Sequence, residues 1–376
     1  MRKIFYVTGT RADFGLMRRT LQRAANDARL DVSVCVTGMH LLPEYGETVR
    51  EIEAAGLRIA ARIPVRLDGS SGAAMARALA AELAGMVDAF ERERPDIVVV
   101  LGDRGEMLAG ALAAIHLNIP IAHLHGGELS GTVDEPVRHA ISKLSHYHFV
   151  ATQGARERLI RMGERPENIM VSGAPGLDGL EEVKTASRAD LCGQYGLNPA
   201  GRVALMVFHP VLQEVAQADR QAESILTALQ QAQCQALCLM PNSDAGGMQV
   251  RGVLRSWSGT RGIKTIDHLP RDEYLSWLTV ADVLIGNSSS GIIEAASFGL
   301  PVVNIGSRQQ GRERNTNVVD AGYDVDAIYA ALEIAINTRR EPGANIYGDG
   351  RAGERIVNGL ATLPITAALL EKRNAY

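Results

Sequence analysis

The stretch that decides the fold runs from Val283-Leu-Ile through Gly286-Asn-Ser-Ser-Ser-Gly-Ile-Ile-Glu294 to Phe298-Gly-Leu-Pro-Val-Val-Asn304, and ends at Arg308. Residues Val283–Ile285 form a short apolar run, which is typical of a buried strand. A loop of small hydroxyl residues follows, and Ile292–Ser297 predicts the start of a helix. This order of strand, loop and helix is the repeating unit of a parallel α/β sheet.

The same stretch predicts a site for a phosphorylated ligand. Hydroxyls, backbone N–H groups and the positive end of a helix would meet at one spot, an arrangement that suits a phosphate or diphosphate. Glu294, one turn into the predicted helix, would accept two hydrogen bonds from a ribose diol. Arg308 would supply compensating charge. The competing interpretation is an ordinary helix with a serine cap, which is common after a strand.

Strand-length apolar runs alternate with helical segments along the whole chain, as in βαβ units. The predicted strands are Ile4–Val7, Val32–Val36, Ile97–Leu101, Ile119–His123, His148–Ala151, Val203–Phe208, Ala236–Met240, Lys264–Ile266, Val283–Ile285 and Pro301–Ile305, and Gly72–Glu93 and Glu106–Leu117 are among the predicted helices. The Gly- and Pro-rich segment Val171–Gly179 predicts a link between domains. We therefore expect an α/β protein with two doubly wound, Rossmann-like domains, residues 1–172 and 173–376, facing a central cleft. The amphipathic segment Gly353–Arg373 predicts C-terminal helices that pack back toward the first domain.

Composition excludes several classes of function. The chain has 376 residues, enough for roughly two domains, with 46% hydrophobic and 22% charged residues. The formal net charge is −4 and no basic run occurs, which argues against a nucleic-acid partner. No apolar run reaches the length of a membrane span or of a signal sequence. The four cysteines lack any framework spacing, so we expect a protein of the reducing cytoplasm.

Charged residues cluster in the loops that follow the predicted strands. Arg11 follows the first strand, and Asp103-Arg104 follows the strand that ends at Leu101. A reaction that removes a proton next to an oxygen-bearing carbon and then adds a proton from another position needs at least two acid/base groups at converging loops. Candidates of the right chemical type are Asp103, Glu128 and Asp134, together with His40, His125 and His209.

The histidines raise the possibility of a metal site. Six of the nine lie between His116 and His148, and His123 and His125 would share one strand face. No matching group of Cys or His occurs in the second half of the chain, so we expect no metal. His116, His146 and His148 are expected at helix ends and on strand surfaces.

Taken in order, these loops resemble the hydrolysing UDP-N-acetylglucosamine 2-epimerases of bacterial sialic-acid and related nonulosonic-acid pathways. The resemblance extends from residue 2 to about residue 320 and rests on Thr8-Gly-Thr-Arg-Ala-Asp-Phe-Gly15, Val36-Thr-Gly-Met-His-Leu41, Gly102-Asp-Arg104, His125-Gly-Gly-Glu-Leu-Ser-Gly-Thr-Val-Asp134, Ile141-Ser-Lys-Leu-Ser-His146, Phe208-His-Pro-Val211, Pro241-Asn242, Gly286-Asn-Ser-Ser289 and Gly306-Ser-Arg-Gln309. It implies the two-domain fold shared with the GT-B glycosyltransferases, a UDP-sugar substrate, and neither a metal nor a nicotinamide cofactor.

The resemblance also implies a role for each motif residue. Arg11, Arg104, Ser288, Ser289 and Arg308 would hold the diphosphate, Glu294 the ribose, and Asn242 and Leu269 would lie near the nucleotide. Asp103, Asp134, His40 and His209 would act around the sugar ring. The implied reaction eliminates UDP across C1–C2 to give a 2-acetamidoglucal, which then adds water. From UDP-N-acetylglucosamine the products would be N-acetylmannosamine and UDP. We also expect a homo-oligomer, a dimer or a tetramer.

One position departs from the family pattern. Members acting on UDP-N-acetylglucosamine often carry a glutamate, assigned an acid/base role, where this chain has His125. Imidazole also exchanges protons near neutral pH. UDP-N,N′-diacetylbacillosamine therefore stays open as a second possible substrate.

Three further functions fit the same fold. The first is a non-hydrolysing epimerase, which the Gly-Thr-Arg-Ala-Asp and His-Gly-Gly-Glu loops disfavour. The second is a GT-B glycosyltransferase, which would use the same cleft and nucleotide contacts but would need an acceptor. The third is a nucleotide-sugar sensor without catalytic activity, which the number of charged cleft residues disfavours.

Overall fold

A computed structural model describes residues 1–66, 71–182, 185–242, 244–260, 262–338 and 343–375. The first seven strands form one parallel sheet in the order β3-β2-β1-β4-β5-β6-β7. They are β1 Arg2–Thr8, β2 Leu30–Thr37, β3 Arg58–Ile63, β4 Ile97–Leu101, β5 Ile121–Leu124, β6 Tyr147–Val150 and β7 Ile169–Val171. The helices between them are α1 Arg11–Ala25, α2 Val49–Ala54, α3 Gly72–Glu93, α4 Gly105–His116, α5 Asp134–Leu144 and α6 Gln153–Arg161.

The second half builds a six-stranded parallel sheet in the order β10-β9-β8-β11-β12-β13. Its strands are β8 Val203–Val207, β9 Gln235–Leu239, β10 Ile263–Ile266, β11 Val283–Gly286, β12 Val302–Ile305 and β13 Val318–Ala321. Its helices are α7 Arg188–Tyr195, α8 Ala218–Gln231, α9 Gly247–Trp257, α10 Arg271–Val280, α11 Ser289–Ile293 and α12 Val325–Asn337. The prediction of two doubly wound α/β domains is therefore confirmed.

The last two helices, α13 Ala352–Thr362 and α14 Ala367–Leu370, follow the second sheet in the chain. Helix α13 nevertheless packs on α1, and its apolar residues Ile356, Val357 and Leu360 are buried in the core of the first sheet. The division at residue 172 stays a prediction. In the described part of the chain, no helix has both the length and the apolar character needed to cross a membrane.

The strand order places the functional loops. In each sheet the order reverses beside the first strand of the domain, between β1 and β4 in one and between β8 and β11 in the other. Ligands of open α/β sheets bind outside the carboxyl ends of the strands at such a reversal. The strands that carry these loops are fully buried, as in β4 and β8, so the loops start from a rigid base.

Candidate active site

The two domains meet through the loops that the sequence singles out. The N–H of Gly131, in the loop before α5, donates to the carbonyl of Arg308 at 3.1 Å. A Cβ atom at Gly131 would lie 1.9 Å from the carbonyl oxygen of Ser307, so only glycine permits this approach. The predicted diphosphate arginine of the second domain therefore lies directly against the loop that carries the predicted acid/base residues.

Asp103 and Asp134 lie on the same arginine-rich wall of this cleft. The guanidinium of Arg138, which is 1% exposed, donates to the Asp103 carboxylate, to the carbonyl of Glu128 and to the hydroxyl of Ser130. Arg138 stands four residues after Asp134 on α5, so the two side chains lie on the same face of that helix. The contacts of Arg138 therefore hold the loops of Asp103 and Glu128 close to the start of α5. Burial lowers the pKa of Arg138 well below its usual value. Asp134 itself faces Arg308 of the second domain at 3.7 Å.

His125 is held in an uncommon backbone conformation with a fixed side-chain partner. Its φ is +59°, a left-handed value that non-glycine residues seldom adopt. Its Nδ1 lies 2.5 Å from Oε1 of Glu128, and the other oxygen of Glu128 lies 3.1 Å from Arg312. Burial alone would raise the pKa of Glu128, but the charge of Arg312 and the neighbouring ring of His125 lower it to about 2. A Glu128 carboxylate in that state would fix the ring orientation of His125 and a proton on Nδ1, leaving Nε2 for other chemistry.

Arg104 joins the two domains. Its side chain contacts Glu106 of its own domain at 2.9 Å and Asp244 of the second domain at 3.4 Å. Burial alone would lower the pKa of Arg104, but Glu106 and Asp244 raise it well above its usual value. The guanidinium therefore stays charged although it is partly buried, as an anion-binding role requires. Arg11 is the first residue of α1, and burial lowers its pKa to about 10.

Glu82, on α3, is a buried carboxyl group beside Thr37, the last residue of β2. The hydroxyl of Thr37 is 2.8 Å from the carbonyl of Ile63 and 3.3 Å from Oε1 of Glu82. Thr37 has one hydroxyl proton for these two oxygen atoms, and a protonated Glu82 would satisfy both contacts by donating to the hydroxyl while the hydroxyl donates to the carbonyl of Ile63. Burial, reinforced by the charge of Glu106, raises the pKa of Glu82 to about 8. Glu82 is therefore a neutral acid at neutral pH.

The serine loop after β11 is held by hydrogen bonds within the second domain. Asn287 donates its side-chain amide to the carbonyl of His209 and accepts from the His209 N–H, both at 2.8 Å. Ser288 caps α11, accepting from the N–H of Ser290 at 3.3 Å, and Ser289 is the first helical residue. Arg308 donates to the carbonyl of Asn287 at 3.1 Å. Ser288, Ser289, His209 and Arg308 are thereby brought together, as a diphosphate site would need.

The helix of this loop is shorter and earlier than the sequence predicts. It spans Ser289–Ile293, and Ala295–Phe298 is a separate 3-10 turn. Glu294 therefore ends the helix, whereas the sequence predicts it one turn inside. Its carboxylate is 2% exposed and accepts from Arg271, which also donates to the carbonyl of Gly176 at 3.0 Å. The β-branched pair Ile292-Ile293 favours this early end. Gly299, with φ +59°, ends the 3-10 turn that follows.

Two other predicted residues, His40 and Leu269, lie deeper than expected, and His209 is partly buried. His40 is fully buried, and its two ring nitrogens contact the hydroxyls of Thr8 at 2.9 Å and Thr48 at 2.7 Å. Burial lowers the pKa of His40 to about 4, and burial together with Arg308 lowers that of His209 to about 3. Leu269 is 1% exposed, within the core. Any contact of Leu269 with a nucleotide would therefore use its backbone.

Three other histidines, His123, His146 and His148, have structural partners. His123 lies 2.7 Å from the carbonyl of Gly102 and 3.1 Å from the hydroxyl of Ser142. His146 and His148 are buried, which corrects the expectation that they lie on a strand surface, and His148 contacts Glu164 at 3.1 Å. Among the residues described, no three His, Cys, Asp or Glu side chains are grouped so that they could hold a metal ion.

Sequence reasoning missed the ionic partners that organise the site. These residues are Arg138, Asp244, Arg271 and Arg312. Only Arg138 carried a usable signal, since it stands one helical turn from Asp134. The others act across domains or between distant loops, and no local spacing reports such a contact.

Comparisons with known proteins agree on one family. A family model described as UDP-N-acetylglucosamine 2-epimerase matches residues 22–361. A Legionella pneumophila protein named UDP-N,N′-diacetylbacillosamine 2-epimerase (hydrolyzing) is 52% identical over 376 residues, covering 100% of both chains. A Campylobacter jejuni protein named GDP/UDP-N,N′-diacetylbacillosamine 2-epimerase (hydrolyzing) is 34% identical over 88% of each chain. The crystal structure of UDP-GlcNAc 2-epimerase from Neisseria meningitidis bound to UDP-GlcNAc superposes with a TM-score of 0.79 at 19% identity, covering 95% of this chain and 99% of that one.

Proposed function

This chain belongs to the UDP-N-acetylglucosamine 2-epimerase family, and we propose that it is a hydrolysing member whose preferred substrate is UDP-N,N′-diacetylbacillosamine. The products are 2,4-diacetamido-2,4,6-trideoxymannose and UDP. The identity of 52% over the full chain to the Legionella enzyme of that name supports this substrate. The observation in the structure that carries the proposal is the buried pair that His125 forms with Glu128, since His125 stands where epimerases acting on UDP-N-acetylglucosamine often have a glutamate.

The geometry fits an elimination. Acid/base groups and cations share one cleft. In it Asp103 contacts Arg138, Asp134 faces Arg308, and Glu128 of the His125–Glu128 pair contacts Arg312. In the first step a carboxylate removes the C2 proton while the C1–O bond to UDP breaks, giving the glycal. Arg104 and Arg308 stabilise the charge on the departing diphosphate, typically a large contribution in a buried site.

The second step adds water to the glycal. The water oxygen bonds to C1, its proton passes to a base, and C2 receives a proton on the face opposite to the one that lost it. Two acid/base groups on different sides of the sugar are therefore required. We assign one to Asp103 or Asp134 and the other to His125, whose Nδ1 is held by Glu128. His40 supports the site from below, since it is buried and its ring contacts the hydroxyl of Thr48. The backbone N–H of His209 donates to Asn287 at the base of the serine loop.

UDP-N-acetylglucosamine is the second candidate substrate. The family model bears that name, and the loop motifs from Thr8 to Gln309 resemble enzymes that use it. Incubation of the purified protein with each UDP-sugar separately, with NMR identification of products, decides between them. Faster release of UDP and a manno sugar from UDP-N-acetylglucosamine would overturn the preferred substrate while leaving the reaction intact.

Residue 125 offers a direct test of substrate selection. If His125 reads the substituent at sugar C4, His125→Glu will shift the ratio of kcat/KM toward UDP-N-acetylglucosamine by about tenfold or more, a change of about 1.4 kcal/mol. His125→Gln serves as the matched control, because it is polar but lacks both the imidazole and the carboxylate. An unchanged ratio in both variants would show that residue 125 does not select the sugar.

The competing functions differ in what they require. A glycosyltransferase releases UDP only when an acceptor is supplied, and a sensor binds without turnover. The proposed enzyme acts alone with water. All four cysteines are free and buried, which supports the expectation of a reducing cytoplasm. Assembly into a dimer or tetramer stays a prediction.

A further inference from the structure

Asp244 lies among the cations that the diphosphate is expected to use. One of its carboxylate oxygens is 3.4 Å from Arg104 of the opposite domain. The other accepts from the side-chain amide of Asn242 at 2.7 Å, and the Asp244 N–H lies 3.3 Å from the Asn242 side-chain oxygen. The carboxylate is thus held from its own loop and directed across the cleft.

The charges around Asp244 come from both domains. Burial alone would raise the pKa of Asp244, but the charges of Arg104 and Arg308 lower it, so the carboxylate is ionised at neutral pH. Arg308 has a second carboxylate neighbour in Asp134, at 3.7 Å. Both arginines assigned to the diphosphate therefore already have carboxylate partners from across the cleft.

We propose that Asp244 is a resident counter-anion for the two diphosphate arginines, Arg104 and Arg308, and that the substrate's diphosphate displaces it from its contact with Arg104. The proposal rests on the proposed function, because it takes these two arginines as diphosphate ligands. Each of these arginines already faces one other carboxylate, Glu106 for Arg104 and Asp134 for Arg308, and Asp244 adds a further negative charge when no nucleotide is bound. The same carboxylate opposes the diphosphate, so it limits the affinity for UDP and speeds release of the product.

A consequence distinguishes this role from an ordinary binding residue. Neutralising Asp244 should strengthen UDP binding, whereas neutralising a residue that holds UDP should weaken it. Asp244→Asn preserves the shape of the side chain and removes its charge. We expect UDP and inorganic diphosphate to bind the variant about tenfold more tightly, within the range of one charge-assisted hydrogen bond. Uridine, which has no phosphate, should bind as it does to the parent protein.

The chain offers a closely matched control. Asp320, in the same domain, also accepts from an asparagine, Asn304 at 2.7 Å, and from an arginine, Arg314 at 2.9 Å, but it is half exposed. Asp320→Asn should leave the affinity for all three probes unchanged. Affinities are measured by titration calorimetry, and circular dichroism melting identifies any variant that fails to fold. Asp244→Ser replaces Asp244→Asn in the comparison if the latter melts early.

The outcomes separate the two proposals. Tighter binding of UDP and diphosphate with unchanged uridine affinity, and a lower inhibition constant for UDP during turnover, is the expected result. If Asp244→Asn and Asp244→Ser both bind UDP no more tightly than the parent, the counter-anion role is wrong although the enzyme still turns over. A parent protein that neither binds UDP nor releases it from a UDP-sugar would instead overturn the proposed function.

Discussion

Replacing Glu128 by glutamine tests whether His125 works as an oriented acid/base group. Glu128 is 4% exposed and contacts His125 at 2.5 Å and Arg312 at 3.1 Å. Glutamine keeps the shape and one oxygen but has no charge. Its amide N–H₂ would face either the imidazole N–H or the guanidinium, and both of these groups are donors. At least one of the two contacts is therefore lost, and His125 is free to rotate or to change its tautomer.

The expected loss follows from the burial of the pair. Breaking a buried ion pair typically costs about 3–5 kcal/mol, and glutamine retains one contact, so we expect a loss of unfolding free energy of roughly 2–3 kcal/mol. General acid/base catalysis is typically worth about a hundred- to ten-thousandfold in rate. We expect kcat on the preferred UDP-sugar to fall by at least about a hundredfold. Affinity for UDP should stay within a few-fold, because neither Glu128 nor His125 is assigned to the diphosphate.

The assay combines three measurements on one variant. Coupled detection of UDP gives kcat and KM, calorimetry gives the affinity for UDP, and chemical denaturation gives stability. Glu135→Gln is the matched control, since Glu135 lies nearby, accepts from the N–H of Ser130 at 2.7 Å and has no contact with His125 in the described structure. A Glu128→Gln enzyme with kcat within threefold of the parent would refute the role of the His125–Glu128 pair. Equal losses of UDP affinity and of kcat would show that the pair serves binding instead.

Two further predictions concern binding and pH. Arg308→Ala and Ser288→Ala should each weaken the affinity for UDP by about one to two decades, the worth of a lost charge-assisted bond. Asp103→Asn should instead keep the affinity for UDP within a few-fold and abolish turnover. Calorimetry showing that Asp103→Asn loses UDP affinity as badly as Arg308→Ala would contradict this division. The pKa of Glu82 is about 8 in the folded chain, against 4.5 for the unconstrained group. At a pH between these two values the folded chain therefore keeps the proton on Glu82 and the unfolded chain releases it. Its contribution to stability is therefore complete below pH 4.5 and is lost as pH rises to about 8, by at most about 1.4 kcal/mol per pH unit. Glu82→Gln should flatten the fall in unfolding free energy across that window, and denaturation curves with the same pH slope as the parent would show that Glu82 is not a neutral acid.

The central strands can be predicted from the sequence because they are apolar throughout. The prediction matches strand β4 to the residue, and β8 and β11 to within one residue at their ends. It misses the sheet-edge strands β3, β7 and β13. Their side chains are partly exposed, as in Arg58–Ile63, so their composition does not differ from that of a loop. Pairing with a neighbouring strand, which is a tertiary effect, decides that they are strands.

The sequence predicts which loops form the site, but not which side chains in those loops form ion pairs and hydrogen bonds with one another. Strand ends place Asp103, Arg104 and Arg308 at the cleft, because parallel strands direct their carboxyl ends to one edge. Which carboxylate contacts which arginine depends on how the two domains meet, and Arg104 contacts Asp244 from 140 residues away along the chain. The position of His40 likewise cannot be predicted from local sequence, because its contact with the hydroxyl of Thr48 forms only when the domain folds.

The fate of the C2 hydrogen tests the central claim most directly. The protein alone, incubated in deuterated water with its UDP-sugar and no acceptor, should release UDP and a manno-configured 2-acetamido sugar that carries deuterium at C2. Elimination discards the original proton, and the solvent supplies the new one. NMR and mass spectrometry of the released sugar measure this. Retention of the original hydrogen at C2, or release of UDP only when an acceptor is added, would contradict the account.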